Sequence, residues 1–373
     1  MKVGFVMWMP SVIAGGNFVI YKHAEYLASR GHDVTILFVN EGKGLEVSGC
    51  HRPGVPVVLI AEAIKRNRVF DVLIATFWPT FYYMFGLKAK HYMYFVQSDE
   101  RRFFESQVDS DLPFVQRTYC EANVGIITEA QWIKRELELE FKAKVEYAPN
   151  GIDTSMFNPR VKPLRKRGKK IRVLIEGPGE VFFKRIDLAF KVVNQFRDIE
   201  VWYVSSDGAC KPEWKCNRFF KEVDFCNMPG IYRSCDILLK LSIVEGCFGP
   251  PLEMMACGGA AVVSNVSGHE EYVIHGENAL VVEMDNEREA YEALKRLIED
   301  GQLRSVLSSN GIETAKKLDW AGQCPLFEQA VMRHVGRRLM VSTKERTDVL
   351  VLRSLLESKW AQQWLEKRWD SKT

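Results

Sequence analysis

The sequence predicts an α/β protein built from two doubly wound, mostly parallel sheets in series, with a helical extension at the C-terminus. Three observations carry that expectation. Short apolar runs alternate with longer stretches of helical spacing, as strands and crossover helices do around a parallel sheet. The pattern halts once, at the basic stretch RVKPLRKRGKKIR, and then restarts. The chain has 373 residues, enough for two cores of ordinary size.

The elements follow in order. Val3 to Met9 reads as a strand, Asn17 to Arg30 has helical apolar spacing, Gly31 stops that helix, and Val34 to Val39 is the next strand. Further buried strands are expected at Val57 to Ile60, Val72 to Thr76, Tyr92 to Gln97, Val124 to Thr128 and Val145 to Tyr147. These make an N-terminal domain of residues 1–158. Asn158-Pro159 and the basic stretch, which supports neither a helix core nor a strand core, form a linker over 159–172. A second domain, 173–335, restarts with strand Val173 to Glu176, helix Ile186 to Phe196 and strands Glu200 to Val204 and Ile237 to Leu241. Helix Pro251 to Cys257 and strands Ala260 to Ser264 and Ala279 to Val282 complete it, and residues 336–373 form the extension. Two such sheets normally bind ligand in a cleft at the carboxyl ends of their strands.

Composition narrows the function classes. Hydrophobic residues make 47% and charged residues 27%, ordinary globular usage, so a disordered or fibrous chain is excluded. Lys plus Arg number 51 against 48 Asp plus Glu, a formal charge of +3, too small for a dedicated nucleic-acid binder. The nine cysteines lack Cys-x-x-Cys pairs and metal spacing, and the isolated histidines His23, His32, His91, His269 and His275 lack it too. The expectation is reduced thiols in a cytoplasmic protein with no obligatory metal. MKVGFVMWMPSVIAGG reads as a strand entering a Gly-Gly turn in preference to a signal peptide. No run approaches the roughly 20 apolar residues of a spanning helix, so any membrane contact is peripheral, at the inner face.

The most informative segment is CDILLKLSIVEGCFGPPLEMMACGGAAVVSNVSGHEEYV. A strand ends near Leu241, a turn with Gly246 and Gly249 follows, and Pro250 and Pro251 stand where a helix begins. Backbone N–H groups at its first turn, with the helix dipole, are expected to suit a diphosphate. Glu245 before the turn and Glu253 within the helix bracket it, one able to reach a sugar and the other a vicinal diol. Gly15 and Gly16, beside Asn17, would let backbone approach a phosphate or sugar closely.

The string EGCFGPPLE closely resembles the donor-binding signature of retaining glycosyltransferases of family 4, in which two glutamates separated by seven residues flank a Gly- and Pro-containing turn. AGGNFVIYKHAEYLASRGHDV, NGIDTSMFNP and EGPGEVFFKRIDLA match the same family in order, so the resemblance covers about residues 1 to 335. It implies the GT-B fold, two Rossmann-like domains facing across a cleft, with a nucleotide-sugar donor held mostly by the second. It implies catalytic roles for Glu245 and Lys184, and donor contacts from Gly15, Gly16, Asn17, Gly177, Phe248, Gly249, Pro250 and Glu253. The family's arginine after the strand-ending glycine is replaced by Pro178, and Arg185 is expected to return part of that charge. A histidine common near the sugar is replaced by Gln97; Gln97, Ser98, Asp99 and Glu100 loosely resemble a rhamnosyltransferase subset, in which Gln97 would hydrogen-bond the donor sugar.

The resemblance implies metal-independent front-face substitution with retained anomeric configuration, onto a hydroxyl of a glycan, lipid-linked or small-molecule acceptor. A nucleotide-sugar 2-epimerase and a catalytically silent binding module share the architecture and stay open. A nicotinamide dehydrogenase is disfavoured, since GPGEVF lacks the third glycine of the dinucleotide fingerprint. The aromatic run FWPTFYYMF reads as a buried helix ahead of a lipid-facing one. In the extension, Leu352, Leu356, Trp360 and Trp364 recur every fourth residue with Leu355 beside them, among Arg353, Lys359, Lys367 and Arg368. Packing on the protein body or on a second subunit is preferred over an anionic membrane surface, because Glu357 and Glu366 weaken the basic face.

Overall fold

The computed structural model describes residues 1–10, 15–40, 53–104, 111–121, 123–337 and 341–356. Cys50, Trp360, Trp364 and the rest of the tail stripe beyond residue 356 lie outside these. The chain forms two compact units, Met1–Pro149 together with the chain from Cys324 onward, and Asn150–Gln323.

Among the described residues the first unit holds seven strands: β1 Lys2–Met7, β2 Asp33–Phe38, β3 Val57–Leu59, β4 Val69–Ala75, β5 Lys88–Val96, β6 Gly125–Thr128 and β7 Val145–Tyr147. Their order across the sheet is β3-β2-β1-β4-β5-β6-β7, every pair parallel. β1 is buried from Val3 to Met7 and β6 throughout. Such unbroken apolar runs belong to a parallel sheet covered on both faces. The helix Gly15–Ser29 stops where Gly31 adopts φ +86°, letting His32 donate its backbone N–H back to Leu27 at 3.2 Å.

The second unit holds β8 Ile171–Glu176, β9 Ile199–Ser205, β10 Arg218–Lys221, β11 Ile237–Lys240, β12 Ala260–Ser264 and β13 Leu280–Val282. Their order, β10-β9-β8-β11-β12-β13, is the doubly wound Rossmann order, again all parallel. The strand order reverses between β8 and β11, and the carboxyl ends of those strands flank the crevice where this fold binds ligands. β10 was not expected: four residues, RFFK, with charged ends at a sheet edge give no periodic signal.

The basic stretch 159–172 is not a free linker but part of the second unit. Leu164 donates its N–H to the Gly230 carbonyl at 2.9 Å, Arg165 pairs with Glu200 at 3.1 Å, and Arg167 pairs with Asp236 at 3.4 Å and bonds the Cys235 carbonyl. Those acids at strand starts account for part of the basic run.

The chain beyond Cys324 belongs with the first unit rather than standing as a separate extension. Phe327 stacks on His23 at 4.0 Å and lies beside Phe5 and Phe95. Burial in that aromatic box pushes His23 down to about 3, so the imidazole stays neutral. The helix Thr343–Leu356 packs on the helix Trp78–Met84, with Val349 fully buried and Arg346 donating to the Phe85 carbonyl at 2.9 Å. The FWPTFYYMF segment is therefore core: Trp78, Phe81, Tyr82, Met84 and Phe85 are all buried. Among the described residues no helix is long and apolar enough to cross a membrane.

Packing of the last described helix predicts a contrast within three residues. Val349→Asp places an unmatched charge in the core and should cost about 3 kcal/mol in denaturant unfolding. Val351→Asp, at a position 58% exposed, should stay within about 0.5 kcal/mol of wild type. Equal effects from the two would show that this face is not the packed one.

Candidate functional site

In the second unit the predicted residues gather at the ends of β8 and β11. β8 closes on Glu176, and Gly177 follows at φ +139°, a conformation that a side-chain-bearing residue rarely adopts. The short helical turn Phe182–Lys184 then carries Lys184, whose Nζ lies 2.8 Å from Glu245 Oε1. Both side chains are largely buried, at 19% and 9% exposed. Burial alone would raise the Glu245 carboxyl, but the Lys184 and Lys240 ammonium groups overcome it and hold the group below its ordinary range.

Lys240 is the residue that sequence reasoning missed. The last residue of β11, it is 3% exposed, and its ammonium bonds the Glu176 carbonyl at 2.8 Å and the Glu176 carboxylate. The signal was present: a lysine inside the apolar run ILLKL, in a strand that must be buried, needs a partner. Glu176, at the end of the apolar run VLIE, is the matching anomaly.

The helix Gly249–Ala256 differs from the expectation of a donor-rich N-terminus. Pro250 and Pro251 stand in its first turn, so two of the four backbone N–H groups usually offered there are missing. The dipole remains. Phe248, just before the helix, is fully buried, and its carbonyl accepts a hydrogen bond from the Tyr272 hydroxyl, so its side chain anchors the turn. Glu253 lies back against that turn, its Oε1 3.8 Å from where a Cβ on Gly249 would stand. Burial, reinforced by the Glu176 charge, pushes the Glu253 carboxyl up to about 7 despite opposing pulls from Tyr232 and Lys240.

Arg185 does not join this cluster. At φ +52° it turns to pair with Asp285 at 2.7 Å, on a shallow surface groove with Phe182, Asp187 and Lys191. The charge absent at Pro178 is not supplied from there.

In the first unit, Gln97 follows β5 and meets the start of the helix Gly15–Ser29. A Cβ on Gly16 would lie 3.1 Å from Gln97 Oε1, so the two residues are close neighbours and a larger residue at 16 would have to displace the amide. Among the described residues that buried oxygen has no hydrogen-bond partner, while Nε2 reaches the Thr76 carbonyl at 3.4 Å. Asn17 donates to the Met9 carbonyl at 3.4 Å, and Gly15 has open space around it. The neighbours of Gln97 turn elsewhere. Asp99 accepts from Arg101 at 2.8 Å, and Glu100 points into the core, accepting from the Trp78 N–H at 2.9 Å and from the Tyr94 hydroxyl. Of the string Gln97 to Glu100, it is Gln97 whose amide oxygen lies beside Gly16.

Residues 217–314 match the family model of glycosyl transferases group 1. Over that segment the chain is similar to the group 1 glycosyl transferases. It runs from β10 past β13 and includes Lys240, Glu245 and Glu253, while Glu176, Gly177 and Lys184 precede it. An uncharacterized glycosyltransferase of Methanocaldococcus jannaschii is 28% identical over 206 residues, 52% of this chain and 55% of that protein. The O-antigen biosynthesis protein RfbC of Myxococcus xanthus is 24% identical over 266 residues, 68% of this chain and 20% of that protein. The chain thus spans about half of one of these relatives and a fifth of the other. The Anabaena protein HepE, solved with UDP-glucose, superposes with a TM-score of 0.71 over 89% of this chain and 99% of its own, at 14% identity. At that identity the likeness is one of fold, and the fold is GT-B.

Glu100 supplies a prediction for the first unit. Burial pushes its carboxyl up to about 8, so the folded chain holds a proton there that the unfolded chain releases near the ordinary carboxylate range. Stability is therefore lost as pH rises from about 4.5 through 8. Glu100→Gln, which cannot ionise, should show a flatter unfolding free energy between pH 5 and 8. An unchanged slope would mean that Glu100 is already ionised in the fold.

Proposed function

We propose that the chain is a retaining glycosyltransferase that moves a sugar from a nucleotide-sugar donor to a hydroxyl of a glycan, lipid-linked or small-molecule acceptor, without an obligatory metal. The observation that carries this reading is the buried Lys184–Glu245 pair, 2.8 Å apart, joining the turn after β8 to the group 1 loop. It sets a fixed cation beside a fixed carboxylate at the crevice where the strand order reverses. A sugar diphosphate needs both: positive charge for the leaving group and an acceptor for sugar hydroxyls.

The chemistry follows from these groups. On donor binding, the Lys184 ammonium neutralises charge on the diphosphate as the bond from the anomeric carbon to the phosphate oxygen breaks. The Glu245 carboxylate accepts hydrogen bonds from sugar hydroxyls and fixes the ring's orientation. Glu253, near 7, suits a ribose diol, since it changes between donor and acceptor with little cost. The acceptor oxygen attacks on the leaving group's own face, and its proton passes to the departing phosphate oxygen. Positioning and electrostatic stabilisation then supply the rate. Gln97, whose amide oxygen lies beside Gly16, is proposed to hydrogen-bond the donor sugar. The place of RfbC in O-antigen biosynthesis supports a glycan acceptor, and UDP-glucose in HepE supports a nucleotide-sugar donor.

A thermal-shift panel of UDP, GDP, dTDP and ADP sugars, followed by mass analysis of products, tests the activity. Glu245→Gln should abolish transfer while nucleotide affinity stays within about threefold, since the lost charge faces the sugar. Lys184→Ala should cost on the order of 2 to 4 kcal/mol of transition-state stabilisation, the scale of one preorganised donor at a leaving group. A rate loss under about threefold would assign that charge elsewhere. Activity should survive EDTA; loss that Mg²⁺ or Mn²⁺ restores would overturn the metal-free part of the reading.

A further inference from the structure

Lys240 and Glu176 present an energetic puzzle. They end two neighbouring central strands; Lys240 is 3% exposed and Glu176 21%. Taking an ammonium and a carboxylate out of water costs several kcal/mol per ion before their attraction is counted, and an apolar pair of similar volume is often neutral or stabilising. Stability alone therefore gives no reason for ions at these two positions.

Geometry supplies one. The Lys240 ammonium binds both the carboxylate and the carbonyl of Glu176, so it ties the last residue of β8 to the end of β11. A Cβ on Gly177 would stand 3.3 Å from Lys240 Nζ and 3.6 Å from Lys184 Cβ. The two lysines thus flank one glycine. Lys184 reaches Glu245 directly, and the positive charges of Lys184 and Lys240 together hold that carboxyl below its ordinary range against its burial. The titratable groups acting on Glu245 are then Lys184, Lys240 and the buried Tyr272 hydroxyl. Pro178, Pro250 and Pro251 remove one cation and two backbone donors that would otherwise serve this corner.

We infer that Lys240 is a positioning residue of the donor site: its ammonium ties Glu176 to the end of β11 and so fixes the Glu176–Gly177 turn, beside which Lys184 reaches out to Glu245. This rests on the glycosyltransferase reading for its consequence, though not for its physical content. Lys240 touches no substrate; it acts through Glu245 and the turn.

The test uses the full chain with Glu176→Leu and Lys240→Leu combined, which leaves no lone buried ion. The single Lys240→Met, stranding the Glu176 carboxylate, should melt well below wild type, whereas the double variant should melt within a few degrees of it. Despite that recovery, the double variant should lose about tenfold in kcat with little change in donor KM, and the acid limb of its pH-rate profile should move up by about one unit. Carbon-13 titration of δ-labelled glutamate, with the Glu245 signal assigned by its absence in Glu245→Gln, should show the same upward movement without any substrate. If the apolar pair misfolds, Glu176→Gln with Lys240→Gln carries the same measurements. A stable double variant whose Glu245 titration matches wild type overturns the inference. If wild type turns over no nucleotide sugar, the glycosyltransferase reading fails, and the titration still decides whether Lys240 holds Glu245.

Discussion

The constraint on which the site depends is the cost of holding ions in a dry sheet end. Two carboxylates, Glu176 and Glu245, and two ammonium groups, Lys240 and Lys184, stand at the carboxyl ends of β8 and β11, and each is affordable only because another answers it. Remove one and a buried charge is left unmatched. The Gly177 turn, the placement of Lys184 on its short helical turn and the set of the loop through Glu245 are all consequences of making those contacts at once. For the proposed donor, a site so preorganised would need little reorganisation on binding a diphosphate, which is the condition for electrostatic catalysis.

The same network explains how the corner tolerates its prolines. Pro178 stands where a cation is commoner in the resembling family, and Pro250 with Pro251 removes two N–H groups from the helix that follows the loop. Backbone donors and side-chain cations are interchangeable sources of positive potential, provided that they are fixed. Here the balance lies with side chains. Arg185, the nearest extra cation in sequence, is engaged by Asp285, so proximity along the chain was a poor guide to proximity in space.

Most of the sheet architecture was legible because a parallel strand covered on both faces must be apolar throughout. All seven strands of the first unit could be found in this way, with ends displaced by a few residues. β10 could not, since its half-exposed RFFK offers neither a long run nor alternation. The unit boundaries were harder. NGIDTSMFNP belongs with the second unit because Ile152 bridges Asp319 and Thr154 bonds the same aspartate, contacts between residues about 165 positions apart. The return of the chain at Cys324 was hidden for a similar reason: an apolar helical face shows that something covers it, not which sheet does. At the site, Glu245, Lys184 and Gly177 were readable as a pattern. Lys240 was visible as an anomaly, and Glu100, which resembled a site residue, turned out to anchor the Trp78–Met84 helix from within the core.

These electrostatics suit a reaction in which the leaving group is stabilised and the acceptor enters on the same face. In the proposed reaction neither Lys184 nor Glu245 is assigned as a base to deprotonate the acceptor, and that part is proposed to fall to the leaving phosphate. Stereochemistry at the anomeric carbon is the direct record of this course. With the donor selected by thermal shift, proton NMR of the first product formed should show an anomeric coupling constant of the same configuration as the donor. A product of inverted configuration would contradict the account.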